Sequence, residues 1–443
     1  MREISQGLLT ALDADFAENR RKRYRLYTHP VFYPYRQIAM LAVVVNLWIF
    51  LARPVEFWLT GSDAALGAIS QMAFANLTLG IIMRQQRVIN LLFSAATNVP
   101  RSWPLWFRWM AGKVYNFGGV HSGCTVSGSL WYGLFLYGLL RSVRDGGAVS
   151  LQTAALGCAV LVLLAVIILT ALGPLRERFH DLFERVHRFG GWSVLALFWA
   201  QAILFAGDMG QPFLNSVAFW ELTLITCSIV LPWTHLKRVP VKIVKPSNHA
   251  VIVNFDYGRD AFPGSTNAIS RNPLLEWHPF ASIPKPGSDD HRIIISRAGN
   301  WTSSFIDDCP SHVWVRGVAT AGAARVGLMF ERVVFVATGS GIGPILPHLL
   351  SRKDPCALLW VTRSPEKTYG RALVDEVRQA CPVHTIWNTD ERGKPDLADL
   401  TREAVKRFDA DAVVIISNRK GSWHVTGTLE AEGIPCFSPI WDS

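Results

Sequence analysis

Six apolar segments in the first 235 residues limit the fold of this chain more than any other feature. They lie near 37–53, 66–83, 114–139, 151–173, 189–206 and 216–234. Each is close to the ~20 residues that a helix needs to cross a bilayer. Because half of the chain is hydrophobic and the excess is concentrated here, the pattern predicts a six-helix transmembrane bundle followed by further domains.

Basic residues alternate with these apolar segments. Five bases occur within residues 20–25, and many Arg and Lys residues fill the connections 84–113 and 174–188 and the stretch after 235. The other connections hold little beyond Arg141 and Arg144. Since positive charge stays on the cytoplasmic side of a membrane, we predict a multi-pass protein of the plasma or inner membrane with both termini cytoplasmic. A hydrophobic soluble bundle would not explain the alternation.

The position of the basic residues between apolar segments also explains the net charge of +10. The bases stand between apolar segments and form no separate basic domain, so we predict the lipid bilayer, and no nucleic acid, as the partner. The seven cysteines include no CxxC pair, which argues against a disulfide framework or a zinc site. We expect reduced thiols.

After Pro240 the sequence changes to short β-type runs broken by Gly, Pro, Asn and Asp. Runs at 241–245, 250–255, 292–296 and 313–315 predict a small antiparallel β-barrel or sandwich. From Arg332 onward, strands at 332–338, 357–362, 383–387 and 412–417 alternate with helices and predict a parallel α/β sheet. The predicted domains are therefore a cytoplasmic segment 1–36, a membrane bundle 37–236, a β-barrel 237–330 and an α/β domain 331–443.

Residues 332–347 read RVVFVATGSGIGPILP. An apolar run suited to a buried strand leads into Gly339, Gly341 and Gly343, which permit a tight turn and the close approach of a ligand. The following helix offers unpaired N–H groups and the positive end of its dipole to an anion. This stretch alone indicates either a pyrophosphate site or a plain turn between strand and helix.

Two further motifs precede this turn, and the three together carry a resemblance. Residues 276–282 read EWHPFAS, and residues 299–303 read GNWTS at the start of a short helix. In this order, behind six apolar segments, they resemble the ferric reductase and NADPH oxidase superfamily over about residues 37–443.

The resemblance implies cofactors and the residues that hold them. It implies FAD along the strand that contains His278, Pro279, Phe280, Ala281 and Ser282. It implies the FAD diphosphate at Gly299, Asn300, Trp301 and Thr302, and a nicotinamide nucleotide at Gly339, Gly341, Gly343 and Pro344. It also implies that the C-terminal Trp441 stacks on the flavin.

The sequence departs from the family at three places. Ala281 stands where the family has a hydroxyl aimed at flavin N5, so the catalytic hydroxyl would have to come from Ser282. The family's GPYG-like segment is Arg316-Gly317-Val318-Ala319 here, and its late Cys-Gly pair is Ser417-Asn418. These changes weaken the expectation of efficient hydride transfer.

Two histidines match the family's haem ligands. The family holds two stacked haems between paired histidines, and His121 and His187 correspond to the inner pair. Phe135, Ala200 and Gln201 stand at the outer positions. The resemblance therefore implies at most one haem b, near the cytoplasmic face, while a structural role for both imidazoles stays open.

The nucleotide preference is predicted from a strand end. About 20 residues beyond Gly343, where an NAD site prefers an acid, the chain has Arg363, followed by Lys367. These bases suit a 2′-phosphate and predict NADPH, although an exposed basic loop would look the same.

The leading interpretation is an integral membrane oxidoreductase that passes electrons from NADPH through FAD to one haem or to a membrane acceptor. The alternative is a catalytically weak sensor or signalling protein that keeps the fold. The sequence names neither the small-molecule acceptor nor a partner subunit.

Overall fold

The computed structural model describes residues 33–258, 261–284, 290–352 and 354–439. The predictions for Trp441 and for the basic residues 20–25 therefore lie outside the described residues.

Helices form the first part of the chain. Their bounds are α1 Pro34–Leu51, α2 Val55–Leu59, α3 Asp63–Ile82, α4 Gln86–Thr97, α5 Leu105–Gly112, α6 Gly118–Arg144, α7 Leu151–Ala171, α8 Gly173–Arg178, α9 His180–Arg185, α10 Gly191–Asp208 and α11 Val217–Val230. A 3-10 turn, Lys113–Phe117, leads into α6. A π-helical turn, Val186–Gly190, joins α9 to α10, and a 3-10 turn, Leu231–His235, follows α11.

Five helical stretches in the described residues are long and apolar enough to cross a membrane: Pro34–Leu51, Asp63–Ile82, Leu151–Ala171, His180–Asp208 and Val217–His235. The predicted third span, 114–139, is helix α6, which has the length but not the hydropathy. Six spans are thus not confirmed.

The packing of α6 explains its composition. This helix lies among α1, α3 and α7, so many of its side chains face other helices. A Cβ added at Gly119 would lie 2.2 Å from the carbonyl oxygen of Tyr35, and one at Gly123 would lie 2.5 Å from that of Ala39. Small residues here let two backbones approach closely, and they lower the hydropathy of a helix that is central.

The antiparallel domain, residues 237–330, follows. Its strands are β1 Lys237–Pro240, β2 Lys242–Val244, β3 Ala250–Asp256, β4 Ser265–Ser270, β5 His278–Ala281, β6 Ile283–Pro284, β7 Asp290–Ser296 and β8 His312–Ala321, with helix α12 at Asn300–Asp308. They form two four-stranded antiparallel sheets, ordered β1-β8-β4-β5 and β2-β3-β7-β6. Val251 and Ile293 of one sheet share a core with Ile269 and Val315 of the other. The sheets are therefore stacked face to face, and a closed barrel is not confirmed.

The parallel domain follows the antiparallel domain and has five described strands. Its elements are β9 Val333–Thr338, α13 Ile342–Ser351, β10 Cys356–Thr362, α14 Pro365–Tyr369, α15 Arg371–Ala380, β11 His384–Asn388, α16 Thr389–Arg392, α17 Leu397–Phe408, β12 Ala412–Ile416, α18 Arg419–Ala431 and β13 Cys436–Phe437. All neighbours are parallel, in the order β11-β10-β9-β12-β13. The predicted parallel sheet is confirmed. Its order reverses beside β9, which places a ligand crevice at the carboxyl ends of β9 and β12.

Helices α4 and α5 hold both of these domains against the helical part. Asn90 donates to the carbonyl of Ala319 at 2.9 Å and accepts from the N–H of Ala321 at 2.7 Å. Lys113 pairs with Glu430 in an ion pair whose side chains are 17% and 11% exposed. Although burial opposes it, the Glu430 carboxylate raises the pKa of Lys113. The connection 84–117 is thus a docking segment between α3 and α6.

Candidate functional site

A large cavity lies at the predicted edge of the parallel sheet. Its volume is about 780 Å³, and it is lined by residues at the ends of four strands: Thr338 and Gly339, Thr362 and Arg363, Thr389 and Asp390, and Ser417 and Asn418. Ser247, Asn248 and His249, from the connection between β2 and β3, close one side. This is the size and position of a nucleotide site in a doubly wound sheet.

The charge in this cavity is mainly positive. Arg363, Lys367 and Lys394 line it, and Asp390 is the single acid among its described lining residues. The Arg363 side chain is 83% exposed, and its Nε donates to Asp390 Oδ1 at 3.2 Å. Hydrogen bonds from Ser364 and then Arg363 lower the pKa of Asp390. The structure thus places Arg363 and Lys367 together and adds Lys394, which sequence reasoning missed because it lies 27 residues further along in a loop.

The glycine turn after β9 has the predicted shape. Gly339 has φ +51°, and its carbonyl accepts from Trp360 Nε1 at 2.9 Å. A Cβ at Gly341 would lie 2.3 Å from the carbonyl oxygen of Ile416, whereas one at Gly343 meets only Ile294, at 3.7 Å. The fold itself therefore requires glycine at the first two positions and not at the third. Pro344 lies in the first turn of α13.

The second predicted motif brings three aromatic rings together. The Trp301 ring stacks on His278 with centres 4.0 Å apart and lies 6.0 Å from Phe280. Its Nε1 donates to Glu276 Oε1 at 2.6 Å. Although burial opposes it, the neighbouring His278 ring and the hydrogen bond from Trp301 lower the pKa of Glu276. Glu276 is thus a carboxylate that fixes the ring stack beside β5, where Pro279 is exposed.

The helix that follows this motif begins in open space. Gly299 precedes α12 with extended backbone, and a Cβ added there would meet no described atom within 4 Å. Thr302 Oγ1 accepts from the N–H groups of Ala298 and Gly299, at 2.9 and 3.0 Å. Since the first N–H groups of a helix lack helical partners, the residues from Asn300 onward form a surface that suits a diphosphate.

A narrow seam separates the two domains beside β5. Thr266, Ala281, Pro344 and Ile416 line a space of only about 10 Å³. Thr266 is the strand partner of Ala281, and its hydroxyl donates to the carbonyl of Thr320 at 3.2 Å. A hydroxyl therefore lies beside the alanine that breaks the predicted motif. Sequence reasoning missed Thr266 because strand pairing, not chain position, places it there.

Ser282, unlike Ala281, does not line the seam. Its side chain is fully buried, and its Oγ accepts from Asn267 Nδ2 at 2.9 Å inside the antiparallel domain. Successive strand residues point to opposite faces, so Ser282 faces the core when Ala281 faces the seam. The geometry argues against the catalytic role predicted for Ser282.

The two other departures from the family have structural partners. A Cβ at Gly317 would lie 2.0 Å from Gln86 Oε1, which accepts from the N–H of Val318 at 3.1 Å. The guanidinium of Arg316 lies 4.2 Å from the Trp277 ring centre, and burial lowers the pKa of Arg316 to about 10. At the nucleotide cavity, Thr338 donates to Ser417 Oγ at 2.8 Å. The segment 316–319 therefore contacts the helical part.

The two histidines of the helical part face each other. The ring centres of His121 and His187 are 6.1 Å apart. His121 Nδ1 lies 2.9 Å from the carbonyl oxygen of Gly80, so Nδ1 is the donor and Nε2 is left with its lone pair. His187 lies in the π-helical turn, a type of turn common at functional sites.

The matching region toward the other end of these helices is filled. The Phe135 ring lies 5.2 Å from Phe205, and Tyr132 lies 5.2 Å from Phe198. Gln201, 3% exposed, accepts from the Tyr132 hydroxyl and donates to the carbonyl of Thr153. Aromatic packing thus occupies the place of a second histidine pair. No group of three or more metal-ligating side chains occurs among the residues that the structure describes.

Comparison with known proteins points to reductases. Residues 323–443 match a family model described as adenylate-forming reductase 03009, C-terminal domain. Adenylate-forming reductase 03009 of Coprinopsis cinerea is 39% identical over 443 residues, an alignment that covers 97% of this chain and 42% of the relative. The chain thus spans about two fifths of the length of this relative.

More distant similarities were also found. A probable metalloreductase, AIM14 of Candida tropicalis, is 25% identical over 232 residues, covering 47% of this chain and 39% of the relative. Among solved structures, a ferredoxin NADP+ reductase from Neisseria gonorrhoeae with bound FAD and NADP aligns with a TM-score of 0.35 and 13% identity. That alignment covers 46% of this chain and 99% of the other.

Proposed function

We propose that this chain is a membrane-bound flavoprotein that oxidises NADPH and passes the electrons through FAD toward the membrane. One observation carries the proposal: the basic cavity at the carboxyl ends of four parallel strands opens beside the antiparallel domain that bears the ring stack and the α12 start. The relatives named reductases support the same class of activity.

The residues divide into four groups according to the part of the two cofactors that each would contact. Arg363, Lys367 and Lys394 bind the 2′-phosphate of NADPH, and the turn at Gly339 and Gly341 holds its pyrophosphate. The start of α12 binds the FAD diphosphate. Thr266 presents its hydroxyl to the flavin ring in the place of the missing side chain at Ala281.

The fit to FAD differs between its two ends. The open space at Gly299 accommodates a diphosphate, whereas a seam of about 10 Å³ is smaller than a flavin ring. The flavin ring would therefore lie outside this space unless the two domains separate at Ala281 and Pro344. FAD, when bound, accepts a hydride and releases electrons singly.

His121 and His187 are the residues that would hold a haem b. The separation of their rings and the lone pair on His121 Nε2 suit this role, and the Gly80 carbonyl fixes the orientation of one ring. A haem held there would accept single electrons. Packed rings fill the region around Phe135, so electrons would then stop in the half of the bundle nearest the docking segment.

The relative named a probable metalloreductase suggests a metal chelate as one class of acceptor. The position of the histidine pair favours acceptors that enter from the lipid or from the side of the two reductase domains. We therefore expect little reduction of an impermeant ferric chelate at the far face of sealed vesicles.

The full chain, purified in detergent, tests the proposal. We expect stoichiometric FAD and rapid anaerobic bleaching of the flavin band by NADPH. His121→Ala and His187→Ala should each remove a low-spin haem spectrum and leave FAD bound. Flavin that NADPH does not reduce would favour the alternative, a nucleotide-binding sensor without turnover, which Ala281 and the closed seam would permit.

A further inference from the structure

Helix α5 (Leu105–Gly112) has two faces with opposite surroundings. On one face, Arg108 Nη1 donates to the carbonyl of Met329 at 3.1 Å, and Trp109 Nε1 donates to Glu430 at 3.2 Å. A Cβ at Gly112 would lie 2.5 Å from the Phe437 ring. This face is thus closed against the antiparallel and parallel domains.

The other face is apolar and exposed. Trp106 is 61% exposed and Met110 is 69% exposed, one helical turn apart. Trp103 and Leu105, at the start of the helix, are 44% and 42% exposed. Large apolar side chains grouped in this way mark a surface that meets something other than water.

The position of α5 in the chain restricts what covers this face. Only the five-residue 3-10 turn Lys113–Phe117 separates α5 from α6, and a 3-10 turn rises about 2 Å per residue. The end of α5 at Gly112 therefore lies within about 10 Å of the start of α6, a helix of the bundle, and Met110 is two residues before that end. Trp is the side chain typical of the level at which a bilayer meets water.

A second pair of exposed apolar side chains lies beside another helix of the bundle. Leu274 and Leu275 in the antiparallel domain are 58% and 53% exposed. The carbonyl of Leu275 accepts a hydrogen bond from Arg188, in the turn before α10. Apolar side chains of the docked domains thus recur beside the ends of the proposed spans.

We propose that α5 lies in the plane of the cytoplasmic leaflet, with Trp106 and Met110 in the boundary between headgroups and acyl chains. Its partner is the lipid surface, as for other helices with one apolar and one polar face. The inference rests on the membrane integration in the proposed function. The proposal adds a role for α5 as a spacer. Because the opposite face of α5 contacts the antiparallel and parallel domains, this helix fixes the height of both domains above the bilayer.

Photo-crosslinking of the full chain in phosphatidylcholine vesicles tests this placement. Trp106 and Met110 are each replaced by p-benzoylphenylalanine, and adducts are identified by mass spectrometry. Two matched positions serve as controls: Trp48 in α1, 71% exposed, and Val383 before β11, 51% exposed. We expect lipid adducts at 106, 110 and 48 and none at 383.

The controls distinguish the placement of α5 from the membrane integration of the chain. Lipid adducts at 48 but none at 106 or 110 would overturn the placement of α5 alone. Adducts of 106 or 110 with a second copy of the chain would also overturn it. If 48 gives no lipid adduct, membrane integration itself is wrong. Flavin content measured for each variant confirms that the replaced residues have not disturbed folding.

Discussion

The two turns proposed to hold cofactor phosphates use glycine for different reasons. At Gly341 an added Cβ would lie 2.3 Å from a carbonyl oxygen of β12, and Gly339 has positive φ, a conformation that favours glycine. At Gly299 the backbone is extended and a Cβ would meet no described atom within 4 Å. The first turn is constrained by the packing of the protein, whereas no described contact constrains Gly299.

A glycine that the fold requires is explained without a ligand, whereas the described structure gives no packing reason for Gly299. Gly67, Gly173 and Gly207 also have no described atom within 4 Å of an added Cβ, so open space at Gly299 does not by itself indicate a cofactor. Flavin binding by Gly299 variants therefore decides whether this turn holds one.

The largest effect is expected at Gly341. Gly341→Ala should lower the free energy of unfolding by about 2–3 kcal/mol, because the contact is with backbone that cannot move aside. Thermal unfolding of the purified chain measures it. Gly343→Ala is the control, since its Cβ has ordinary contact distances and alanine favours helix over glycine by roughly 1 kcal/mol. Equal destabilisation by both changes would contradict the comparison.

The next effect is a loss of cofactor without a loss of fold. Gly299→Val should yield protein of near wild-type unfolding temperature that carries little FAD, because the side chain would fill the space for the diphosphate. Flavin absorbance per chain measures the loss, and Gly299→Ala should lie between the two. A fully flavinated valine variant would remove this turn from the site.

A smaller effect is expected at the nucleotide cavity. Arg363→Ala should weaken NADPH binding about tenfold and leave NADH unchanged, since an exposed charge-assisted contact is worth roughly 1.5 kcal/mol. Asp390→Asn should act in the opposite direction by releasing Arg363. Titration of both nucleotides measures these changes, and an equal loss for NADPH and NADH would exclude the 2′-phosphate role.

The smallest effect is expected at the seam. Thr266→Val should slow flavin reduction by NADPH about fivefold, the equivalent of one neutral hydrogen bond of about 1 kcal/mol, with FAD content unchanged. Thr266→Ser should restore the rate. Stopped-flow bleaching of the flavin measures it, and a valine variant of normal rate would return Thr266 to a structural role.

Local patterns allowed much of this architecture to be predicted. The apolar runs at 333–338 and 412–416 are strands because they are buried on both sides, and their alternation with helices predicts a parallel sheet, although not its strand order. Helix α6 could not be recognised as a central helix, because its glycines report a close contact with α1 that only the fold reveals. Lys394 and Thr266 were missed for a related reason, since neither belongs to a motif.

The docking segment is synthesised before the parts of the parallel domain that pack on it. Proteins are made from the N-terminus, so Gly112 and Lys113 are in place before β13 and α18 exist. Phe437 then packs on Gly112, and Glu430 meets Lys113. A fragment that begins at β1 would lack Gly112 and Lys113. The Phe437 ring would then lose the surface on which it packs, and the Glu430 carboxylate would lose its ion-pair partner. Strand β13 therefore packs on a surface supplied by the first half of the chain.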